Sequence, residues 1–480
     1  QIKESTYSTA RLRALFRRKS EKKAAPDKSS LSSSKNKKPK KKKGHGRTKS
    51  EDYTAAKNIE CKREDLTHGA ACPDDECDGS VYRQSDPGNI IRISGGSLVS
   101  ATRYKLERYR CNLCNTVFSA RLPKGVSSSE KYDAKAKAVV TLNRIQMGIP
   151  MYRQEKYQAQ IGVPLPQSTQ WDLIESVANS ISPVYDALVK KAAQGSLFYI
   201  DDTWARILEV IQNNKKASKK SERKGMHTTG IISEVDSHRI ILFLSGTKHA
   251  GKNLNDLLKL RYPDLDLPLQ MNDALSCNNP KGLPLKTIIC HCMAHGRRKF
   301  VEIAHYFPDI CDAVINALSK VYKNDAFCKE ENFNPKERLK YHQKNSLAVM
   351  KKLKRFMNKK LSCDTVEPNS SIGKAFNYWL KRWDSITRFL TVAGAPLDNN
   401  AIERGLKKVI LYRKTCLFFK TEKSAKISSK LMSLINTAIE ADINPVDYLT
   451  ALIEHEDQIV KEPNNWLPWN YQENLNQKAA

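Results

Sequence analysis

Four acidic residues stand where a chain that handles phosphodiesters would need them. "LFYIDD" (197–202) reads as a buried strand that ends in Asp201 and Asp202, and "LPLQMND" (267–273) as a second strand that ends in Asp273. "PLDNNAIERGLKK" (396–408) opens a helix with Glu403 in its first turn. Cutting or joining nucleic acid means stabilising a pentavalent phosphate and activating a weak oxygen nucleophile, and two Mg²⁺ ions about 4 Å apart do both. Hard cations take carboxylate oxygens, so the signature is two or three acids drawn from distant parts of the chain into a basic surrounding. Each acid also has a plainer use. Asp201 and Asp202 could cap the turn after their strand, and Asp273 could close an Asx turn before "ALSCNNPKG". Asn400 with Glu403 three residues on has the spacing of a helix capping box. Spacing alone leaves both uses open.

A second chemistry-bearing group is made of thiols. "CPDDEC" supplies Cys72 and Cys77, and "CNLC" supplies Cys111 and Cys114. Two such knuckles bracketing a β-type stretch tie four thiolates to one tetrahedral Zn²⁺, and with no open ligand position the ion is structural. Cys61 lies outside that pattern. "CHCMAHGRRKF" (290–300) offers Cys290, His291, Cys292 and His295 beside Arg298 and Lys299. Strand alternation points Cys290 and Cys292 to one face and His291 to the other, which argues for structural cysteines. His295 would orient the scissile phosphate, and Arg298 and Lys299 would hold the DNA backbone; a solvated basic helix face is the plainer reading. Arg404, Lys407, Lys408, Arg413 and Lys414 follow Glu403 and could grip a DNA end, with a Glu403–Lys407 surface pair as the alternative. Trp204 we place in the core or a wall. "NNKKASKKSERKG" (213–225) we read as a solvated loop joining two strands.

The elements that must position these residues are legible in the pattern. The 480 residues carry a net charge of +31, with 18 Lys/Arg against three acids in residues 1–50. That length suits about two to four domains, and that charge calls for a polyanionic partner. The chain opens on Gln1, and we expect its start to lie inside a longer protein. "DKSSLSSSKNKKPKKKKGHGRTKS" (27–50) has too little apolar content for a core and is expected to be disordered. No run of 18 apolar residues offers a membrane span, no signal peptide is visible, and scattered cysteines suit a reducing cytoplasm. Residues 130–190 carry helical periodicity, with a helix, Gly-centred turn and helix at 155–174 that suits either a DNA-reading helix-turn-helix or an ordinary hairpin. Strands are expected at 197–202, at "HTTGIISEV" and "RIILFLSG" around "DSH", at 267–273 and at 285–292. Helices are expected at 253–260, through 301–390, from about 400 and from 425 to 455. "NWLPWNYQ" near the C-terminus reads as a docking tail. Together these give an α/β domain interrupted by a helical insertion.

In order along the chain, "YIDDTWARIL", "CMAHGRRKF", "PLDNNAIERGLKKVILYRK" and "NPVDYL", with "GHGR" and the Cys ribbon before them, resemble transposases of the insertion-sequence-66 family. The resemblance implies an α/β ribonuclease-H-like catalytic core with a helical insertion, an N-terminal zinc ribbon and a helical DNA-contacting segment. The implied organisation is a basic tail at 1–50 with the remnant of a coiled coil, a ribbon at 51–122 and a helical segment at 123–192. The core follows at 193–300, the insertion at 301–390, the rest of the core at 391–455 and a tail at 456–480. Carried over by position, the family's acid triad falls on Asp201, Asp273 and Glu403, with Asp202 beside the first in the place of the family's Glu; His295 supports it on the residue reading above. The family's Asp-Gly-Tyr block reads Asp273-Ala274-Leu275 here. The implied cofactors are structural zinc and two catalytic Mg²⁺ or Mn²⁺. The implied reaction is cleavage at transposon ends and transfer of the 3′-OH to target DNA. The implied partners are double-stranded DNA, further copies of the chain in a synaptic complex and element-encoded accessory proteins, in a bacterial cytoplasm at the nucleoid. The competing reading is a non-catalytic DNA-binding protein that occupies transposon ends.

Overall fold

The apolar runs read as strands pair into one five-stranded sheet, because each is long enough to cross a core and is bounded by turn residues. The computed structural model describes residues 98–110, 117–123, 129–216, 225–278, 287–363 and 365–479, with single positions at 69, 80 and 126. The chain divides into two units. One, Arg17–Ser97, lies almost wholly outside the described residues; the other contains Leu98–Ala480 and with it the sheet and the helices. The basic tail and all four cysteines of the expected ribbon also lie outside the described residues. Next to Cys111 and Cys114 the structure gives a short antiparallel ladder, β1 (Arg108–Arg110) with β2 (Val117–Ser119), pairing Arg108 with Ser119 and Arg110 with Val117.

Among the described residues four helices precede the sheet: α1 (Ala134–Ile145), α2 (Met151–Gln160), α3 (Gln167–Ser180) and α4 (Ser182–Ala192). The Asp133 carboxylate starts α1 by accepting from the Ala136 N–H at 2.7 Å. Between α2 and α3 the chain turns through Gly162 at φ 77°, the helix, turn and helix expected at 155–174.

The main sheet is β3 (Leu197–Trp204), β4 (His227–Val235), β5 (His238–Gly246), β6 (Leu269–Asn272) and β7 (Ile288–His291). Its order is β5-β4-β3-β6-β7. The first three strands run antiparallel, and β6 and β7 are parallel to β3. In place of a loop directly joining β3 to β4, α5 (Leu208–Lys216) follows β3; residues 217–224 lie outside the described ones. Helix α6 (Ala250–Leu258) follows β5, and α7 (Met293–Ile303) follows β7. The helical run is α8 (Pro308–Glu330), α9 (Pro335–Asn345), α10 (Leu347–Ser362), α11 (Ser371–Leu380) and α12 (Trp383–Ile386). It returns to α13 (Asn400–Cys416), α14 (Glu422–Glu440) and α15 (Pro445–Glu454).

Polar contacts fix these layers around the apolar core. Strand β5 is a sheet edge, and an edge left with free N–H groups invites wrong pairing. Helix α14 covers it: the Ile241 and Phe243 N–H groups donate to Thr437 Oγ1 at 3.0 Å and Ser433 Oγ at 2.7 Å. In the helical run, burial raises the pKa of Asp325, but His342, Arg338 and Lys329 more than offset it and hold the carboxyl well below its usual range. Arg338 also donates to the Ala395 carbonyl at 2.8 Å, which ties this run to the segment entering α13. In the C-terminal "NWLPWNYQ" stretch Trp466 is fully buried and its carbonyl accepts from Tyr448 Oη at 2.7 Å. No helix among the described residues is long and apolar enough to cross a membrane.

Candidate active site

Strand β3 is buried through Ile200, and Asp201 and Asp202 come where it leaves the core. Antiparallel pairing sets Asp201 opposite Gly230 and Asp202 opposite Thr229, so the two carboxylates point to opposite faces. On the Asp201 face, a Cβ built on Gly230 would come within 2.8 Å of Ile402 Cδ1 and 3.0 Å of Leu406 Cδ2. The missing side chain is what lets α13 lie against the strand beside Asp201. Asn399, just before α13, donates from Nδ2 to the Ile200 carbonyl at 3.0 Å. Its own N–H reaches Cys292 Sγ at 3.2 Å, while the Cys292 N–H donates to the Asn272 carbonyl and the Met293 N–H to the Leu397 carbonyl, both at 2.9 Å. These bonds join the ends of β3 and β6, the β7–α7 junction and the start of α13.

The consequence is electrostatic. Burial pushes Asp201 up to about 7; a bond from the Asp202 N–H at 2.8 Å works against this, and the charges of Asp273, Glu403 and Asp202 add to it. Asp201 thus lies within electrostatic reach of both Asp273 and Glu403. Glu403 Oε1 is buried without a hydrogen-bond partner, as is His295 Nδ1, and the two are 3.7 Å apart. Asp273 Oδ1 accepts from the Leu275 N–H at 3.0 Å and Asn278 Nδ2 at 2.6 Å. The expected Asx turn is present, and because both bonds fall on one oxygen it does not use up the carboxylate.

The capping box is not formed. Helix α13 has Asn399 in the N-cap position without a side-chain cap bond, and the Asn400 N–H is taken by Asp398 Oδ1 at 3.1 Å. Neither asparagine side chain caps the helix: Asn399 is committed to β3, and Glu403 is left free of backbone duty. Asp202 does act as a cap, for a helix rather than for the turn after its strand. Its Oδ2 accepts from the Ala250 N–H at the start of α6 at 2.8 Å, and its Oδ1 from Thr229 Oγ1 at 2.5 Å.

The basic residues distribute unevenly. Arg298, Arg404, Lys407 and Lys414 are exposed. Lys299 Nζ lies 4.6 Å from the centre of the Tyr378 ring, whose hydroxyl is 3.5 Å from the Asp273 carbonyl. Lys408 instead donates to Asn436 Oδ1 at 2.5 Å. Arg413 donates to Thr203 Oγ1 and the Trp204 carbonyl, and its guanidinium lies 3.9 Å over the Trp204 ring. Trp204 is 57% exposed and so is not a core residue; β4 still pairs with it, through His227, but β6 pairs with β3 only as far as Tyr199. Burial pushes the Cys290 and Cys292 thiols up to about 12. His291 turns away to Ser385 Oγ at 2.7 Å, as strand alternation requires. Ligand atoms of Cys292, His295 and Glu403 lie within 4.8 Å of one another.

Three positions escaped the sequence reading. Asn399 was visible only as a helix-start residue, and Gly230 only as one residue in a strand. Ala274 has φ 70°, in the left-handed region that favours glycine. The signal for Ala274 was available, since the block that Asp273-Ala274-Leu275 resembles has Gly at that place.

Residues 131–427 match the family model described as Transposase IS66 family. Three proteins of Sinorhizobium fredii (strain NBRC 101917 / NGR234), each described as uncharacterized, are similar over most of the chain. Protein y4jD is 22% identical across 84% of this chain and 79% of its own length. Protein y4hP is 23% identical across 76% and 67%, and y4qI 21% across 70% and 62%.

Proposed function

Because the chain belongs to the IS66 family of transposases, we propose that it is a metal-dependent DNA strand-transferase. It cleaves at transposon ends to expose a 3′-OH and joins that 3′-OH to target DNA. The observation that supports this reading is the environment of Asp201 at the end of β3, raised to about 7 by burial, with the charges of Asp273 and Glu403 adding to the rise. The sheet order β5-β4-β3-β6-β7, with three antiparallel strands followed by two parallel ones, supports a ribonuclease-H-like core.

A divalent pair fits the residues present. Crowded carboxylates repel one another unless a cation joins them, and a buried, unpartnered Glu403 Oε1 is an oxygen waiting for one. Asp201, Asp273 and Glu403 would hold Mg²⁺ or Mn²⁺, which when bound supplies nucleophile activation and leaving-oxygen stabilisation. The protein's own part is placement. Asn399 and Gly230 hold α13 against β3, and the Asx turn fixes Asp273. His295, beside Glu403, orients the scissile phosphate. Arg298, Arg404, Lys407 and Lys414 form the exposed cationic face for the DNA backbone, with Lys299 on Tyr378 and Arg413 on Trp204 flanking it; Lys408 steadies α13 against α14. Cys72, Cys77, Cys111 and Cys114 would close one structural Zn²⁺, since four thiolates at knuckle spacing are that ion's preferred donor set. The site of action is the bacterial cytoplasm, on double-stranded DNA, in a synaptic complex of several copies with element-encoded partners.

The test is joining of labelled terminal DNA, taken from the flanks of the gene, to a plasmid target. The wild-type protein is expected to join in Mg²⁺, and Asp201→Asn and Glu403→Gln to bind DNA with the same salt sensitivity but not join. Joining by either variant at the wild-type rate refutes the triad. A wild-type protein that binds the ends and never joins is the non-catalytic occupant instead.

A further inference from the structure

The face of β3 opposite Asp201 carries a second donor cluster. Asp202, His227 and His249 present ligand atoms that all lie within 4.8 Å of one another. They come from three elements: Asp202 from β3, His227 from the first position of β4, and His249 from the residue before α6. The imidazole centroids are 4.0 Å apart, and His249 Nδ1 is 3.4 Å from Asp202 Oδ2. His227 Nε2 is buried without a hydrogen-bond partner. A buried ring nitrogen normally finds a donor or acceptor, so hydrogen bonding leaves this one unexplained.

We propose that Asp202, His227 and His249 form a Zn²⁺ site distinct from both the acid triad and the cysteine quartet. Two imidazoles and one carboxylate with an open fourth position are a zinc donor set, and imidazole selects Zn²⁺ over Mg²⁺. Ligand atoms around one tetrahedral zinc sit about 3.4 Å apart. From the observed spread, closure asks for side-chain rotation, above all of the 42% exposed His249, and no strand movement. The supporting bonds are in place: Thr229 Oγ1 donates to Asp202 Oδ1 and accepts from Asn253 Nδ2 at 2.7 Å, the kind of support that orients metal ligands. A bound ion would pin the start of α6 and the start of β4 to β3 directly behind Asp201. The site is thus a positioning device, and it stands whether or not the triad transfers strands.

The experiment uses the full chain in millimolar Mg²⁺, which keeps the carboxylate cluster filled, with Zn²⁺ added by dialysis and bound metal measured. Wild type is expected to hold one more Zn²⁺ per chain than His249→Ala, and Zn²⁺ should raise its melting temperature more than that of the variant. The Cys111→Ser/Cys114→Ser variant should keep the increment. With Co²⁺ as probe, the increment should absorb without the sulfur charge-transfer bands of a thiolate site. Loss of one nitrogen ligand should weaken binding at least about 100-fold. Equal zinc content in wild type and His249→Ala, or an increment that carries thiolate bands, overturns the proposal. His249 is largely exposed, so the fold is expected to survive its removal, and unfolding in chelator checks that it has.

Discussion

Replacing Asp201 with Asn should make the metal-free protein more stable while abolishing its response to metal. The wild-type carboxyl is raised from 3.8 to about 7, first by burial and then by the charges of Asp273, Glu403 and Asp202. At about 1.4 kcal/mol per tenfold change in proton affinity, that rise bounds the cost of ionising it in the folded state at about 4 kcal/mol, and partial solvent access reduces that to about 1–3 kcal/mol. Asparagine keeps the acceptor for the Asp202 N–H and carries no charge. Proton uptake sets the sign. Between about pH 4 and about pH 7 the native wild type holds a proton that the unfolded chain has lost, so its stability falls as pH rises through that window. The Asn variant lacks this contribution. Its advantage in urea unfolding with chelator should be near zero below pH 4, grow through the window and level off above pH 7. Millimolar Mg²⁺ should reverse the order, stabilising wild type by mass action and leaving the variant unmoved. A variant no more stable than wild type in chelator, or one that gains as much from Mg²⁺, would refute the claim that Asp201 sits in a crowded cation-binding cluster.

Three further outcomes rest on named contacts. Ala274→Gly should raise the urea midpoint by an amount worth about 1 kcal/mol, since an L-residue at φ 70° carries a left-handed penalty that glycine avoids; a lower midpoint would show that Ala274 is not strained. Gly230→Ala sets a methyl 2.8 Å from the tip of the fully buried Ile402. It should cost about 1–3 kcal/mol and, by moving α13, suppress joining more than DNA binding; an equal loss of both would separate Gly230 from the positioning of Glu403. In chelator-washed protein with the His249→Ala change, about one Zn²⁺ per chain should remain, and Cys111→Ser should remove it on metal analysis; persistence of that ion would put zinc elsewhere.

Much of the fold was legible because periodicity is local. The strand runs, the helical segment at 130–190, the hairpin around Asp236 and the long helical run all depend on patterns within about twenty residues, and all appear where the pattern puts them. Acids at strand ends, thiols at knuckle spacing and a cationic stripe after Glu403 are likewise properties of side chains in sequence. One open alternative and one reading failed for the same reason. The Asn400–Glu403 capping box satisfies local spacing, but Asn399 bonds to the carbonyl of Ile200, 199 residues away, and so the helix starts without a side-chain cap. Trp204 reads as a core or wall residue by type, yet it is 57% exposed, at a point of β3 that β6 does not reach. By itself the sequence determined which residues could do chemistry and which elements would carry them. Only the tertiary structure decided that the start of α13 lies beside Asp201, because Asn399 and Ile200, 199 positions apart, join through a side-chain-to-backbone bond next to a missing Cβ that no local pattern records.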